Sequence, residues 1–311
     1  MYVTKLNRLS MDEIDGLIEK SESLTGKGMC CPRKCGINRQ THCTPCGASG
    51  KGMRIASISR HMGEEPPVSG ENGACNVFFS GCTMKCVFCQ NFPFSQLNNG
   101  REYSIDEFCS RLLKFQSRGV HNINLVTSDQ YLAAVLKSLK QLKGLLEIPV
   151  SYNCSGYHTP ELLSIVDKFA DIYLYDLKYF SDSPALKYSG AQNYPEISQR
   201  GAEFILKGNN AWIEEDGILK SGVIFRHLVL PGNIDDSISI LNYASKMKTE
   251  FNNFRLSIMS QYFPAYKAAE SASFPELKNK LREDEYEMVM IEADRYGIDG
   301  WYQELDAQGG C

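Results

Sequence analysis

The chain has no run of apolar residues near the ~18 that a membrane-spanning helix requires, which excludes a transmembrane helix. It also has no basic excess. With 33 Lys and Arg against 37 Asp and Glu, the formal net charge is -4, which gives no electrostatic footprint for nucleic acid or an anionic membrane surface. The first twenty residues lack the apolar core of a secretory signal, because Asp12, Glu13, Asp15 and Glu19 interrupt them, so the expected location is the cytosol. Internal repeats are absent, as is any linker long enough to prove an independent second domain. The remaining composition, 43% hydrophobic and 23% charged, belongs to an ordered protein with a large core.

One residue type is abundant. Twelve cysteines are present, and they are unevenly placed. Cys30, Cys31, Cys35, Cys43 and Cys46 form one cluster and Cys82, Cys86 and Cys89 a second, while Cys75, Cys109, Cys154 and Cys311 stand apart. In a reducing cytosol, short spacings of this kind point to metal or cluster ligands and not to disulfides. Two clusters imply two metal centres, or one centre and one structural knot.

From Asn76 onward, short β-branched or aromatic runs alternate with amphipathic segments. The runs at 76–80, 122–127, 148–153, 171–178, 222–230 and 254–260 predict six strands. Ser104-Ile105-Asp106-Glu107 reads as a capping box, and Thr159-Pro160-Glu161 as an N-cap followed by Pro at the first helical position. Helical patterns at 274–281 and 283–296 follow the last strand, with Gly297 as a C-cap. Strands alternating with helices require parallel crossovers. The predicted fold class is α/β, a partial (β/α)6 TIM-type barrel, with a doubly wound sheet as the alternative. Residues 1–74 are expected to form a Cys-rich loop cap, and 75–311 the barrel with its C-terminal helices.

Cys82-Thr83-Met84-Lys85-Cys86-Val87-Phe88-Cys89 directly follows the first predicted strand, which places it at the C-terminal mouth of a barrel, where active-site loops gather. Three thiolates spaced C-x3-C-x2-C can hold three irons of a [4Fe–4S] cube and leave the fourth open to a substrate or cofactor. A zinc knot is the bland alternative, but it prefers two C-x2-C halves.

This loop, with Phe88 just before its last Cys, resembles the signature of the radical S-adenosylmethionine enzymes. It is most similar to the pyruvate formate-lyase activating enzymes and their uncharacterised relatives. Three further stretches share the resemblance: Tyr152-Asn153-Cys154-Ser155-Gly156-Tyr157, the Asp176-Leu177-Lys178 end of the 171–178 run, and Arg226-His227 leading to Pro231-Gly232. The resemblance implies a [4Fe–4S] cluster on Cys82, Cys86 and Cys89 that cleaves S-adenosylmethionine reductively. A 5′-deoxyadenosyl radical then abstracts hydrogen from a substrate shielded inside the barrel. It also implies an electron donor such as flavodoxin or ferredoxin.

Cofactor-binding roles follow by position. Ser128 and Asp129 stand where many relatives bind the methionine amino group. Asn153 or Ser155, at the end of the third strand, is a candidate for the ribose or carboxylate. Asp176 and Lys178 project on the same face, either toward a ligand or as a salt bridge on the rim. Arg226 and His227 alternate, so only one faces inward; Arg226 is the choice for the cofactor carboxylate, and His227 otherwise reads as a satisfied core histidine.

In the N-terminal cluster, Cys31, Cys35, Cys43 and Cys46 read as ligands of an auxiliary centre, with Cys30 as a substitute and His42 nearby. The metal is a second [4Fe–4S] cluster or Zn. Arg33, Lys34 and Arg39 would favour either thiolate site. Cys109 reads as core, Cys154 as a contact at the mouth, Cys75 as a possible redox position, and Cys311 as terminal. The leading function is a radical enzyme that activates a glycyl-radical protein. The alternatives are the same chemistry on a small molecule or peptide, and a non-catalytic iron–sulfur electron-transfer or interaction protein.

Overall fold

All six predicted runs form strands in the computed structural model, which describes residues 2–39, 41–48, 52–208 and 210–305. The strands are β1 (Met53–His61), β2 (Ala74–Phe79), β3 (Arg101–Tyr103), β4 (Ile123–Val126), β5 (Val150–Cys154), β6 (Ile172–Asp176), β7 (Ile213–Glu215), β8 (Ile218–Leu228), β9 (Phe254–Met259) and β10 (Gly300–Tyr302). They build one sheet in the order β10-β9-β8-β6-β5-β4-β2-β1-β3, with β7 paired to β8. From β2 to β10 every neighbour on this path is parallel. The order follows the chain without reversal, which a doubly wound sheet cannot do. The result is a partial barrel, open between β3 and β10.

Two edges extend the sheet beyond the six strands. β10 adds in parallel to β9, while β1 lies antiparallel to β2 and carries β3. The expected division at residue 74 therefore falls between hydrogen-bonded neighbours, and 53–61 lies in the barrel sheet. Ahead of it, the helix Met11–Gly26 starts on a complete capping box. The Glu13 amide donates to Ser10 Oγ at 3.2 Å, and the Ser10 amide donates to Glu13 Oε2 at 2.7 Å. Its Ile14, Leu17 and Ile18 join the main core.

The other helix signals hold in part. Thr159 caps Pro160–Val166 as expected, accepting from the Leu162 amide at 3.4 Å. Ser104 caps Ile105–Gln116, accepting from the Glu107 amide at 3.1 Å, but the reciprocal bond is missing because Glu107 turns to Arg101. Glu283–Tyr296 ends at Gly297, whose φ of 58° needs no Cβ relief in glycine. The expected helix at 274–281 is only a 3-10 turn, Pro275–Lys278, after a Pro that supplies no amide hydrogen. Among the described residues, no helix is long and apolar enough to cross a membrane.

Strand alternation sorts the side chains. Cys75, Val77 and Phe79 of β2, Ile123 and Leu125 of β4, and Val150 and Tyr152 of β5 pack in the core that includes the outer helices. Asn76, Asn124 and Ser151 are register partners on the opposite, inner face. The segment between β1 and β2 enters that interior as a floor. Its short helix Pro66–Ser69 sets Val68 against Ile172, Leu174, Leu219 and Ile224, and Asn122 Nδ2 donates to the Val68 carbonyl at 2.8 Å.

Just before this turn, Glu64 and Glu65 meet Arg226 of β8. Arg226 Nε donates to Glu65 Oε1 at 2.8 Å, and Nη2 donates to Glu64 Oε2 at 2.5 Å and to Glu65 Oε2. Asn76 Nδ2 at 2.7 Å and Asn124 Nδ2 at 3.1 Å both donate to Glu64 Oε1. Burial pushes the Glu64 carboxyl up, but the Arg226 charge and the hydrogen bonds from Asn76 and Arg226 outweigh it and hold the group below the usual carboxylate range.

Candidate functional site

β2 delivers the chain to Gly81, at φ 78°. A Cβ here would fall 2.1 Å from the Cys46 carbonyl oxygen, and the next amide, Cys82 N, donates to that same oxygen at 3.0 Å. Glycine thus lets the N-terminal cysteine loop rest directly on the three-cysteine loop. Gly81→Ala meets a backbone atom as well as a left-handed conformation, so a loss of at least ~1–2 kcal/mol is expected. Thermal unfolding of the metal-free variant checks this, and an unchanged midpoint would refute the contact.

The three-cysteine loop is pinned from three directions. The Val87 amide donates to the Tyr188 carbonyl at 2.8 Å, the Ala268 amide to the Val87 carbonyl at 2.9 Å, and Gln90 Nε2 to the Gln261 carbonyl at 2.8 Å. Phe88 stands edge-on to Tyr188 at 6.4 Å and to Tyr262 at 6.1 Å. The last contacts make the 259–262 segment part of the same mouth.

Cys82 and Cys86 are buried, Cys89 is half-buried, and all three are free thiols. Burial, then charge on Cys86 and Cys89, pushes the Cys82 thiol well up; burial and charge on Cys86 also raise the Cys89 thiol, against the hydrogen bond from Ser95. Two hydroxyls address the sulfurs: Ser189 Oγ donates to Cys86 Sγ at 3.1 Å, and Ser95 Oγ lies 3.1 Å from Cys89 Sγ. Lys178 Nζ binds Asp176 Oδ2 at 2.5 Å, as the rim salt bridge requires. Burial opposes the lysine's charge, but Asp176 and then Cys86 override it and raise its pKa.

This donor set fits an iron–sulfur cube. Three neighbouring thiols, of which Cys82 and Cys89 are disfavoured as free anions, would lose their protons on binding iron, whose charge takes the place of the missing cation. Among the described residues, no three Cys, His, Asp or Glu side chains gather as ligands of a single metal ion. A cube takes one thiolate per iron, so its ligands stand further apart than those of one ion. Two buried hydroxyls at the ends of neighbouring strands, Ser128 Oγ and Ser155 Oγ, have no protein partner and are free to meet a ligand.

The turn after β4 carries backbone strain. Thr127 has φ 58°, uncommon for a β-branched residue and typical of functional sites. Gln130 Nε2 steadies it by donating to the carbonyls of Ser80 (3.2 Å), Gly81 (3.1 Å) and Thr127 (2.9 Å). Asp129, expected to bind the cofactor's amino group, is instead spent within the protein. It accepts from Tyr152 and from Thr83 Oγ1 at 3.3 Å, and it lies 3.3 Å from His158 Nε2. Burial disfavours its charge, yet His158 and these hydrogen bonds hold its carboxyl below the usual range. Tyr152 and His158 were not foreseen as partners, since contacts across two strand ends leave no mark in local spacing.

Asn153 and Asp176 take inner-face positions on β5 and β6, as alternation predicts. Arg226 also faces inward, but its guanidinium engages Glu64 and Glu65 at the floor, and not the mouth where the cofactor carboxylate was expected. His227 is the satisfied core histidine: its Nδ1 pairs with the Leu177 carbonyl and its Nε2 with Ser237 Oγ, both at 2.8 Å.

The N-terminal cysteines divide. Cys30 and Cys31 share a hydrogen bond that holds the Cys31 thiol down and the Cys30 thiol up, and Cys30 feels charge on Cys46. Arg39 Nη2 donates to Cys30 Sγ at 2.8 Å, while Nη1 donates to the Gln130 carbonyl. Cys35 instead reaches the Gly28 carbonyl at 3.6 Å, and Cys43 is exposed with its sulfur toward the Thr44 carbonyl. Among the described residues, no three of the Cys31, Cys35, Cys43 and Cys46 thiols gather around a single metal ion.

Of the separate cysteines, Cys109 is core, with its sulfur toward the Ser138 carbonyl at 3.5 Å. Burial pushes the Cys75 thiol up to about 12, which suits packing and not redox chemistry. Cys154 packs in the main core on the outer face of β5 and not toward the mouth. Cys311 lies outside the described residues.

Comparison with known proteins agrees with this geometry. A family profile, Radical SAM superfamily, matches residues 76–244. The uncharacterized protein MJ0674 of Methanocaldococcus jannaschii is 30% identical over 86% of this chain and 75% of its own length. A pyruvate formate-lyase-activating enzyme of Clostridium pasteurianum is 24% identical over 74% of this chain and 90% of that enzyme. The solved structure of Streptococcus suis SuiB bound to S-adenosylmethionine shares the fold, with a TM-score of 0.50 at 10% identity. That match covers 72% of this chain and 48% of SuiB, so the chain spans about half of that protein.

Proposed function

Because the chain belongs to the radical S-adenosylmethionine superfamily, we propose that it cleaves this cofactor at a [4Fe–4S] cluster on Cys82, Cys86 and Cys89 and abstracts a hydrogen atom from a glycyl-radical protein. The observation that carries the reading is the three-thiol loop at the mouth of an open parallel barrel, beside two unpartnered buried hydroxyls. When bound, the cluster supplies the electron that splits the sulfonium into methionine and a 5′-deoxyadenosyl radical. That electron comes from a donor such as flavodoxin or ferredoxin.

The chain's own residues do the rest. Ser128 and Ser155 offer hydroxyls to the polar groups of the cofactor, and Asn153, two residues before Ser155, is the register partner of Val126, two residues before Ser128. Asp129, tied to Thr83, fixes the cluster loop against the end of β4. Similarity to an activating enzyme supports a protein substrate. One observation favours the second reading, the same chemistry on a small molecule or peptide. Arg33 ties the N-terminal loop across the cluster loop, with its guanidinium 5.8 Å from the Tyr157 ring, which narrows the approach for a folded partner.

Anaerobically reconstituted protein given dithionite and S-adenosylmethionine is expected to release 5′-deoxyadenosine, and a yield no higher than the cluster-free control would sink both readings. A persistent glycyl radical on a partner protein separates the first reading from the second. Metal analysis addresses the N-terminal cysteines. About four irons per chain leaves them as thiols, about eight makes them a second cube, and about four irons with one zinc makes them a knot.

A further inference from the structure

We infer that Ser189, held in place by Tyr179 and Arg33, sets the reduction potential of the cluster through its hydrogen bond to Cys86. This rests on the cluster assignment proposed above. Ser189 ends the helix Asp182–Ser189, is only 1% exposed, and lies 103 positions from Cys86 in the chain, so the contact is a product of the fold and not of the cysteine motif.

The direction of the bond follows from the partners. A hydroxyl has one proton and two lone pairs. Ser189 Oγ gives its proton to Cys86 Sγ at 3.1 Å and can then only accept from the Tyr179 hydroxyl at 2.7 Å. With the single Ser189 proton committed to Cys86, the buried Tyr179 hydroxyl is the donor of its pair with Ser189. The order is Tyr179 to Ser189 to Cys86.

Arg33 secures the other side of Ser189. Its Nη2 donates to the Ser189 carbonyl at 2.7 Å, Nη1 to the Gly190 carbonyl at 2.9 Å, and Nε to the Thr83 carbonyl at 2.8 Å. One planar fork thus locks the end of the helix to the cluster loop. The surroundings are Phe88, Tyr188, Tyr194 and Tyr262, an apolar setting in which a hydrogen bond carries more electrostatic weight than in water. Donors to a cluster's sulfurs draw electron density from them and favour the reduced state. Ser95 performs a comparable service for Cys89, but from within the same loop.

The test is a redox titration of the anaerobically reconstituted full chain, with dithionite supplying the single electron and the reduced cluster followed by paramagnetic resonance. Ser189→Ala is expected to bind iron as the parent does. At the parent's midpoint, its ratio of reduced to oxidised cluster should fall about tenfold, equivalent to about 59 mV for one electron. Ser189→Thr should return toward the parent value. Tyr179→Phe should shift the same way by less. An unchanged midpoint in Ser189→Ala at full iron content overturns the inference. If Ser189→Ala fails to hold iron, Ser189→Gly, tolerated at the end of a helix, decides in its place: a lowered midpoint supports the inference and a parental one refutes it. A parent chain that takes up no cluster refutes the functional reading itself, and this inference with it.

Discussion

Arg226→Met is expected to destabilise the protein by about 3–5 kcal/mol at neutral pH, because it leaves Glu64 and Glu65 buried without their guanidinium, with only His61 Nε2 at 4.0 Å from Glu64. Chemical denaturation of parent and variant measures this, and its pH dependence gives a sharper sign. In the parent, the folded Glu64 carboxyl lies below its unfolded value. Its contribution is complete above the unfolded value, near 4.3, and is lost as pH falls through the folded one. Without Arg226, burial dominates and the folded value rises above the unfolded one. The stability of the variant then increases as the solution is acidified from neutral toward pH 4.3, while that of the parent does not. Replacing both carboxylates as well, in a Glu64→Gln, Glu65→Gln, Arg226→Met triple variant, should recover much of the loss. A variant with parental stability and pH slope would show that the pair is not buried as described.

Cys86→Ala is expected to reduce 5′-deoxyadenosine formation to background and to lower the iron bound on reconstitution. Two thiolates remain, and a cube held at two corners has neither the anchoring nor the single open iron that the chemistry uses. Cys154→Ala is the control: its side chain packs in the main core on the outer face of β5, so it should keep cofactor cleavage despite some loss of stability. Cleavage surviving in Cys86→Ala, or vanishing in a folded Cys154→Ala, would mean that the wrong cysteines have been assigned.

The six crossover strands were legible because each is buried on two faces and so reads as a compact β-branched run between helix starts. The N-caps at Ser104 and Thr159 were equally visible, since capping chemistry is local. The helix Met11–Gly26 carries the same local signal at Ser10 and Glu13. β1 was harder, because a register shift between Ile55 and Ser57 breaks its alternation. β3 and β10, three residues each, are too short for any period.

At the site, the thiol loop was fully legible, as ligand spacing within one loop is a sequence property. Arg226 was given the right face and the wrong partner, because its carboxylates lie 161 and 162 positions away in a segment that read only as loop. Ser189, Tyr179 and His158 were invisible for the same reason: each acquires its role from a contact that only the closed fold creates.

The floor built by Val68 and the Arg226 cluster has a kinetic consequence. Val68 and the Arg226 ion pairs fill interior space below the cysteine loop. Under the function proposed above, cofactor and substrate would then both reach the cluster by the rim that carries this loop, and whichever sits deeper would enter before the other and leave after it.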